Sequence, residues 1–275
     1  MSEKTAVQCA DLPRTRQTLA DDLRRLGVKP GMILLVHSSL SHIGWVCGGP
    51  VAVIQALMDV ITPQGTLVMP THTAANSEPS YWQNPPVPES WWPIIRETMP
   101  AFDPKRTPTR NMGCIPELFR TWPDVHRSNH PQVSFAAWGK YAQAVTAGHE
   151  LAWSLGESSP LARIYDLAGF VLLLGVGYNR NTSFHLAEYR AQGAAEMMNG
   201  GAVLVNGRRE WRTWPDLDFR DDLFELIGTA FEQTGEVVHG LVGSASCRLF
   251  PQRTAVDFAQ SWLTRYYADR KAKQP

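Results

Sequence analysis

The sequence predicts an α/β fold: a central mixed, largely parallel sheet flanked by helices in αβα layers, carrying an irregular Pro- and Trp-rich lobe. Three observations predict it. Short, wholly apolar runs at 32–36, 66–69 and 170–174 fit strands buried on both faces. Strand, loop, helix and strand follow one another within about forty residues, which is the signature of a βαβ crossover. Residues 71–110 then break the pattern with Pro79, Pro85, Pro86, Pro88, Pro93, Pro100, Pro104 and Pro108 among Tyr81, Trp82, Trp91 and Trp92. Prolines at that density forbid long regular elements, and the aromatics argue against a disordered linker.

The elements are justified in chain order. Leu19, Leu23 and Leu26 form one apolar stripe on a helix over 15–26, which Gly27 stops and Pro30-Gly31 turns. The strand at 32–36 leads into a Ser- and Gly-rich loop over 38–50, a helix over 51–60, a turn at 63–65 and the strand at 66–69. After the excursion come a helix over 112–121 and a strand end with a helix within 135–148. The strand at 170–174 ends at Gly175-Val176-Gly177, and a helix over 183–195 starts with Thr182 or Ser183 as N-cap. Runs 202–205 and 208–214 form a hairpin around Asn206-Gly207. Leu223, Ile227 and Phe231 mark a helix over 222–234, and a C-terminal helix covers 254–269. The simplest organisation is one compact domain over 1–275 with an excursion at about 71–110.

Composition narrows the function. The 275 residues carry 26 Lys and Arg against 26 Asp and Glu, so no bulk positive charge recruits nucleic acid. Apolar residues make up 44% and charged residues 19%, which supplies a large core and excludes a disordered chain. Cys9, Cys47, Cys114 and Cys247 are scattered without a CxxC pair, as expected of reduced thiols in a cytoplasmic protein. No apolar leader and no run near the ~20 residues of a membrane span are present, so no membrane partner is expected.

Four segments carry candidate chemistry. In Asn181-Thr-Ser-Phe-His185-Leu-Ala-Glu188, His185 and Glu188 are three apart and share a helix face at the carboxyl end of a buried strand. A carboxylate beside an imidazole fixes its tautomer and raises its basicity, the orienting half of a general-base pair. The alternative is a surface His–Glu pair. No second spaced His pair accompanies it, so no metal site is expected. The stretch from His37 through Ser38, Ser39, Leu40 and Ser41 to Gly48-Gly49 joins a strand to a helix start, which suits a phosphate or pantetheine chain or is simply a structural turn. It is neither a Walker A loop nor GxGxxG. Thr71 and Thr73 offer hydroxyls at a strand exit, either to an acyl oxygen or as strand caps. His130 before Pro131 reads as a loop anchor. Asp216, Asp218, Asp221, Asp222 and Glu225 form an acidic cluster, either a solvated helix entry or a cation attractor.

Together these segments resemble the aminoglycoside 3-N-acetyltransferase family. The resemblance rests on Val36-His-Ser-Ser-Leu-Ser-His-Ile-Gly44 with Gly48-Gly49, Gly65-Thr-Leu-Val-Met-Pro-Thr71 and Trp82-Gln-Asn-Pro-Pro-Val-Pro88. It continues through Asn111-Met-Gly-Cys-Ile-Pro-Glu117, Arg127-Ser-Asn-His-Pro131, Ser134-Phe-Ala-Ala-Trp-Gly139, Ser159-Pro-Leu161 and Leu173-Leu-Gly-Val-Gly177 with the His185 segment. The family implies a fold unrelated to GNAT acetyltransferases. It also implies acetyl transfer from acetyl-CoA to the 3-amino group of a 2-deoxystreptamine aminoglycoside, an antibiotic-resistance activity. His185 is then the general base, oriented by Glu188 or another carboxylate, and Thr71 a donor to the oxyanion. His37, Ser38, Ser39, Leu40, Ser41, Gly48, Gly49, Met112, Ser134 and Phe135 are expected to hold acetyl-CoA. Asp216, Asp218, Asp221 and Trp82 are expected around the aminoglycoside. Direct attack in a ternary complex is expected, without a metal. Two alternatives stay open: another amine acceptor, biosynthetic or nucleotide-linked, and an antibiotic-binding protein without turnover. Trp262, Tyr266 and Tyr267 on the last helix suggest a possible homodimer contact.

Overall fold

The computed structural model describes residues 7, 8 and 11–272; Cys9 lies outside them. Helix α1 (Arg16–Leu26) is capped by the Thr15 side chain and ends at Gly27 in the left-handed region, as its stripe predicts. Strand β1 (Ile33–Ser38) follows, then a short helix α2 (Leu40–Ile43) inside the expected loop, helix α3 (Gly49–Ile61) and strand β2 (Thr66–Pro70). The excursion holds one regular helix, α4 (Trp92–Thr98), started by Pro93. Helix α5 (Cys114–Phe119), strands β3 (His126–Arg127) and β4 (Phe135–Gly139), and helices α6 (Ala142–Thr146) and α7 (Pro160–Asp166) lead to strand β5 (Phe170–Leu174). Helix α8 (Ser183–Arg190) carries His185. The hairpin β6 (Glu196–Val205) and β7 (Arg208–Leu217) is followed by α9 (Phe224–Glu232), β8 (Val238–Val242), β9 (Ala245–Pro251) and α10 (Gln252–Ala272).

Seven strands form one mixed sheet in the order β3-β4-β2-β1-β5-β9-β8. Parallel pairing is narrower than the sequence suggests: it joins β2, β1 and β5, while β3, β4, β8 and β9 pair antiparallel. The central three strands are the three apolar runs. Strands β8 and β9 were not expected, because their apolar residues are interrupted by His239, Gly240, Arg248 and two turns' worth of polar chain. Helix α8 stops at Arg190 rather than 195, since Ala191 is already extended and β6 begins at Glu196.

Strand alternation divides the core. Leu34, Val36, Leu67, Met69, Leu172 and Leu174 face α1, α3 and α5. Ile33, Leu35, Val68, Val171 and Leu173 face α6 to α10. This is the expected αβα layering. The excursion is ordered by specific bonds. Glu78 takes Arg96 in two hydrogen bonds at 2.6 and 3.1 Å. Asn76 and Phe102 bond the backbone of Ala202, and Arg209 Nε donates to Met99 O at 2.8 Å. The β6–β7 hairpin thus clamps the proline-rich lobe beside the sheet. Among the described residues, no helix is long and apolar enough to cross a membrane. Trp262, Tyr266 and Tyr267 are half-buried against the chain's own core rather than fully exposed.

Candidate active site

The carboxyl ends of the parallel strands β1, β2 and β5 open into a cavity of about 1190 Å³. This is where ligands gather in an α/β sheet. Gly175 ends β5 at φ +70°, and a Cβ there would come within 2.8 Å of His42 Cβ, so only glycine lets β5 and the loop after β1 close the cavity floor.

His185 lines this cavity from the first turn of α8. Its Nδ1–H donates to Glu188 Oε2 at 2.6 Å, and the other oxygen, Oε1, accepts the Arg220 backbone N–H at 2.6 Å. Glu188 is 1% exposed on its side chain. Both its oxygens therefore serve as acceptors from N–H donors, as an ionised carboxylate does. In the neutral imidazole, a carboxylate against Nδ1 places the proton there and leaves the lone pair on Nε2. Phe219 and Phe224 hold the ring at centroid distances of 4.3 and 4.8 Å. Among the described residues, Glu188 is the carboxylate in contact with the His185 ring.

Strand alternation brings two further imidazoles to the same face. His37 is the penultimate residue of β1 and His72 lies two residues beyond β2, in phase with Leu35 and Val68 respectively. Burial, reinforced by the nearby His185, pushes both down to about 3, so both are neutral at physiological pH. His37 Nε2 lies 3.3 Å from Thr182 Oγ1. Thr182 sits at the α8 N-cap in helical backbone conformation and makes no capping bond; the Asn181 side chain accepts the Ser183 N–H instead. Sequence spacing marks Thr182 only as a helix cap, and places His72 in the strand-exit segment without showing that its phase with Pro70 turns it into the cavity.

Several expected ligand residues line the cavity: His37, Ser38, Ser39, Leu40, Ser41, Gly49, Met112 and Asp221. Ser39 Oγ is held 2.7 Å from His42 Nδ1 and 3.1 Å from Ser41 Oγ. Arg180 and Arg248 add positive charge to the lining, and Asp221 is its one carboxylate among the described residues.

Other expected residues are placed elsewhere. Thr71 falls between Pro70 and His72, so its side chain points to the opposite face of the sheet. There it is fully buried, 3.1 Å from Ser134 Oγ, and accepts from Arg127 Nε at 3.2 Å. Arg127 also donates to the Thr71 carbonyl at 2.7 Å. Thr71 and Ser134 thus bond each other and the half-buried Arg127 guanidinium. Phe135 is a core residue, edge-on to His72 at 5.4 Å. Gly48 is the N-cap of α3 outside the lining. Asp216 is buried and accepts from Ser154 N at 3.3 Å, Ser154 Oγ at 2.6 Å, Leu217 N at 3.0 Å and the Tyr189 hydroxyl. Asp218 is exposed away from the cavity, and Trp82 is bonded to Ser77 Oγ at 2.9 Å within the lobe. Linear sequence could not separate these from true lining residues, because strand phase decides which face each one meets. Among the described residues, no three His, Cys, Asp or Glu groups cluster as a metal could require.

The chain is similar to known proteins in sequence and in fold. A family model described as aminoglycoside 3-N-acetyltransferase matches residues 35–264. The chain is 52% identical to the SPbeta prophage-derived aminoglycoside N(3')-acetyltransferase-like protein YokD of Bacillus subtilis (strain 168), over 94% of this chain and 96% of that one. The YokD crystal structure superposes with a TM-score of 0.95 at 50% identity, covering 96% of this chain and 98% of that one. AAC-IIIb in a binary complex with CoASH gives 0.83 at 32% identity, covering 93% and 98%. AAC-VIa bound to sisomicin gives 0.84 at 31% identity, covering 94% and 100%. On the family match and on relatives of this identity and coverage, the chain belongs to the aminoglycoside 3-N-acetyltransferase family.

Proposed function

We propose that this protein transfers the acetyl group of acetyl-CoA to the 3-amino group of a 2-deoxystreptamine aminoglycoside, by direct attack in a ternary complex. The observation that carries the reading is the His185–Glu188 pair, the imidazole lining a cavity at the strand ends with its Nδ1 2.6 Å from a buried carboxylate. A protonated amine cannot attack. The ammonium first gives one proton to solvent; as the neutral amine nitrogen bonds to the thioester carbonyl carbon, His185 Nε2 takes a second proton from it, and the C–S bond breaks as that second proton passes to the departing thiolate. Glu188 stabilises the imidazolium formed in between. Thr182, one turn before His185, is better placed than Thr71 to donate to the oxyanion, since it lines the cavity and is free of capping duty.

The cavity exceeds the ~300–1,000 Å³ typical of a single small-molecule site, which supports two substrates present together. The similarity to AAC-IIIb with CoASH and to AAC-VIa with sisomicin supports the two substrate classes. The loop after β1 and the Arg180 and Arg248 side chains suit the pantetheine and phosphates of acetyl-CoA. A second reading keeps the chemistry and changes the acceptor. With Asp216, Asp218 and Trp82 outside the lining, Asp221 alone opposes two arginines, which favours an amine of lower charge than an aminoglycoside.

The test is release of free CoA thiol with aminoglycosides bearing a free or blocked 3-amine and with simple primary amines, followed by mass and NMR location of the acetyl group. Acetylation at N3 supports the first reading. Turnover confined to singly charged amines supports the second. Tight antibiotic binding without thiol release would leave only a binding protein.

A further inference from the structure

His37 makes a contact in the cavity that the acyl-transfer steps above leave unused. It is the penultimate residue of β1, on the face shared with His72 and His185, is 5% exposed, and its Nε2 lies 3.3 Å from Thr182 Oγ1. A threonine hydroxyl has one proton to give. If His37 Nε2 carried a lone pair, the Thr182 proton would be spent on it, and nothing would remain for a developing oxyanion. If Nε2 carries hydrogen, the hydroxyl oxygen is the acceptor and its own proton is free to turn into the cavity.

We propose that His37 is a positioning residue whose Nε2–H donates to Thr182 Oγ1 and so directs the Thr182 hydroxyl proton toward the thioester carbonyl oxygen. This rests on the acyl-transfer reading above. The geometry supports it on three further points. Thr182 makes no N-cap bond, so the helix does not claim its oxygen. Asn181 takes the capping role through the Ser183 N–H at 3.2 Å. Thr182 and His185 share the start of α8, so base and donor are carried by one rigid turn. Burial keeps His37 neutral with a pKa of about 3, and an imidazolium at His185 disfavours a second charge there. The imidazole therefore stays uncharged through the cycle, and its Nε2–H would orient the Thr182 hydroxyl without exchanging a proton.

Two measurements on the full-length protein test this. In ring-15N-labelled protein, the His37 proton is expected on Nε2 from pH 5 to 8; a proton on Nδ1 overturns the proposal whatever the acceptor proves to be. In the CoA-release assay, Thr182→Val is expected to lose ~10²–10³-fold in kcat, the cost of one oxyanion donor. His37→Phe should also lose in kcat at little change in KM for acetyl-CoA, His37→Gln should restore part of the loss through its amide N–H, and the His37→Phe/Thr182→Val double variant should be no slower than Thr182→Val. Additive losses in the double variant, or a loss by His37→Phe confined to KM, would refute positioning. Thr182→Val with wild-type kcat would remove the hydroxyl from the mechanism, and absence of turnover by the wild type would count against the aminoglycoside reading while the tautomer still decides the proposal.

Discussion

Replacing Glu188 with glutamine isolates the orienting interaction. The side chain is 1% exposed, and each oxygen accepts one N–H, from His185 and from the Arg220 backbone, both at 2.6 Å. Glutamine keeps the volume but has one acceptor oxygen for two donors. Its amide must face either the His185 Nδ1–H or the Arg220 N–H with N–H against N–H. A hydrogen bond to a charged group contributes about 1.5–3 kcal/mol. At about 1.4 kcal/mol per tenfold, loss of that bond in the transition state, where His185 is cationic, slows kcat by roughly 10- to 150-fold. KM for both substrates should change little, since Glu188 does not line the cavity. Steady-state thiol release with each substrate varied in turn reads both parameters. Activity within twofold of wild type, or a loss carried wholly by KM, would refute the claim that the carboxylate orients and stabilises the imidazole.

Other outcomes follow from packing and burial. Thr71→Val should lower the urea midpoint, corresponding to about 1–3 kcal/mol for unpaired groups around Arg127, while kcat stays at the wild-type value; a selective loss of kcat would return Thr71 to the reaction. Asp216→Asn should destabilise by a similar amount without changing KM for the aminoglycoside, because its oxygens are used by Ser154, Tyr189 and Leu217. A methyl built on Gly228 would overlap the Tyr178 ring, which stacks on Phe184 beside His185, so Gly228→Ala should cost at least ~1–3 kcal/mol and show as a fall in Tm. His37 and His149 are held down to about 3 and about 4, below the ordinary 6.5. As pH falls below about 6.5 the unfolded chain takes up these protons first, so stability present at pH 7 is lost, by roughly 2 kcal/mol per histidine at pH 5. Urea unfolding at pH 7, 6 and 5 measures it, and a flat midpoint would contradict the neutral burial of these rings.

Much of the fold is legible because it rests on local pattern. The apolar runs at 32–36, 66–69 and 170–174 mark the three parallel strands, and Leu19, Leu23 and Leu26 mark the first helix. The His185–Glu188 pair is legible for the same reason, since residues three apart on a helix meet. What sequence spacing does not carry is the face of a strand end. Thr71 and His72 are neighbours, yet one joins the Arg127 network and the other lines the cavity. Thr182 was legible as a helix cap but not as a hydroxyl left free of capping, because that depends on Asn181 and on His37, 145 residues away. Asp216 has the composition of a cation site and the environment of a buried hydrogen-bond hub, a difference that only Ser154 and Tyr189 reveal. The antiparallel strands β8 and β9 are interrupted by glycine and charge, so their pairing is set by the sheet edge and not by their own pattern.

The most direct test of the account is single-turnover CoA-thiol release by wild type and His185→Ala with saturating acetyl-CoA and an aminoglycoside bearing a free 3-amine. The wild type should release thiol with acetylation at N3, and the variant should be slower by ~10²–10⁴-fold, the contribution of a general base. Equal rates in the two proteins would contradict the assignment of His185 as the base and, with it, the mechanism built on the Glu188 pair.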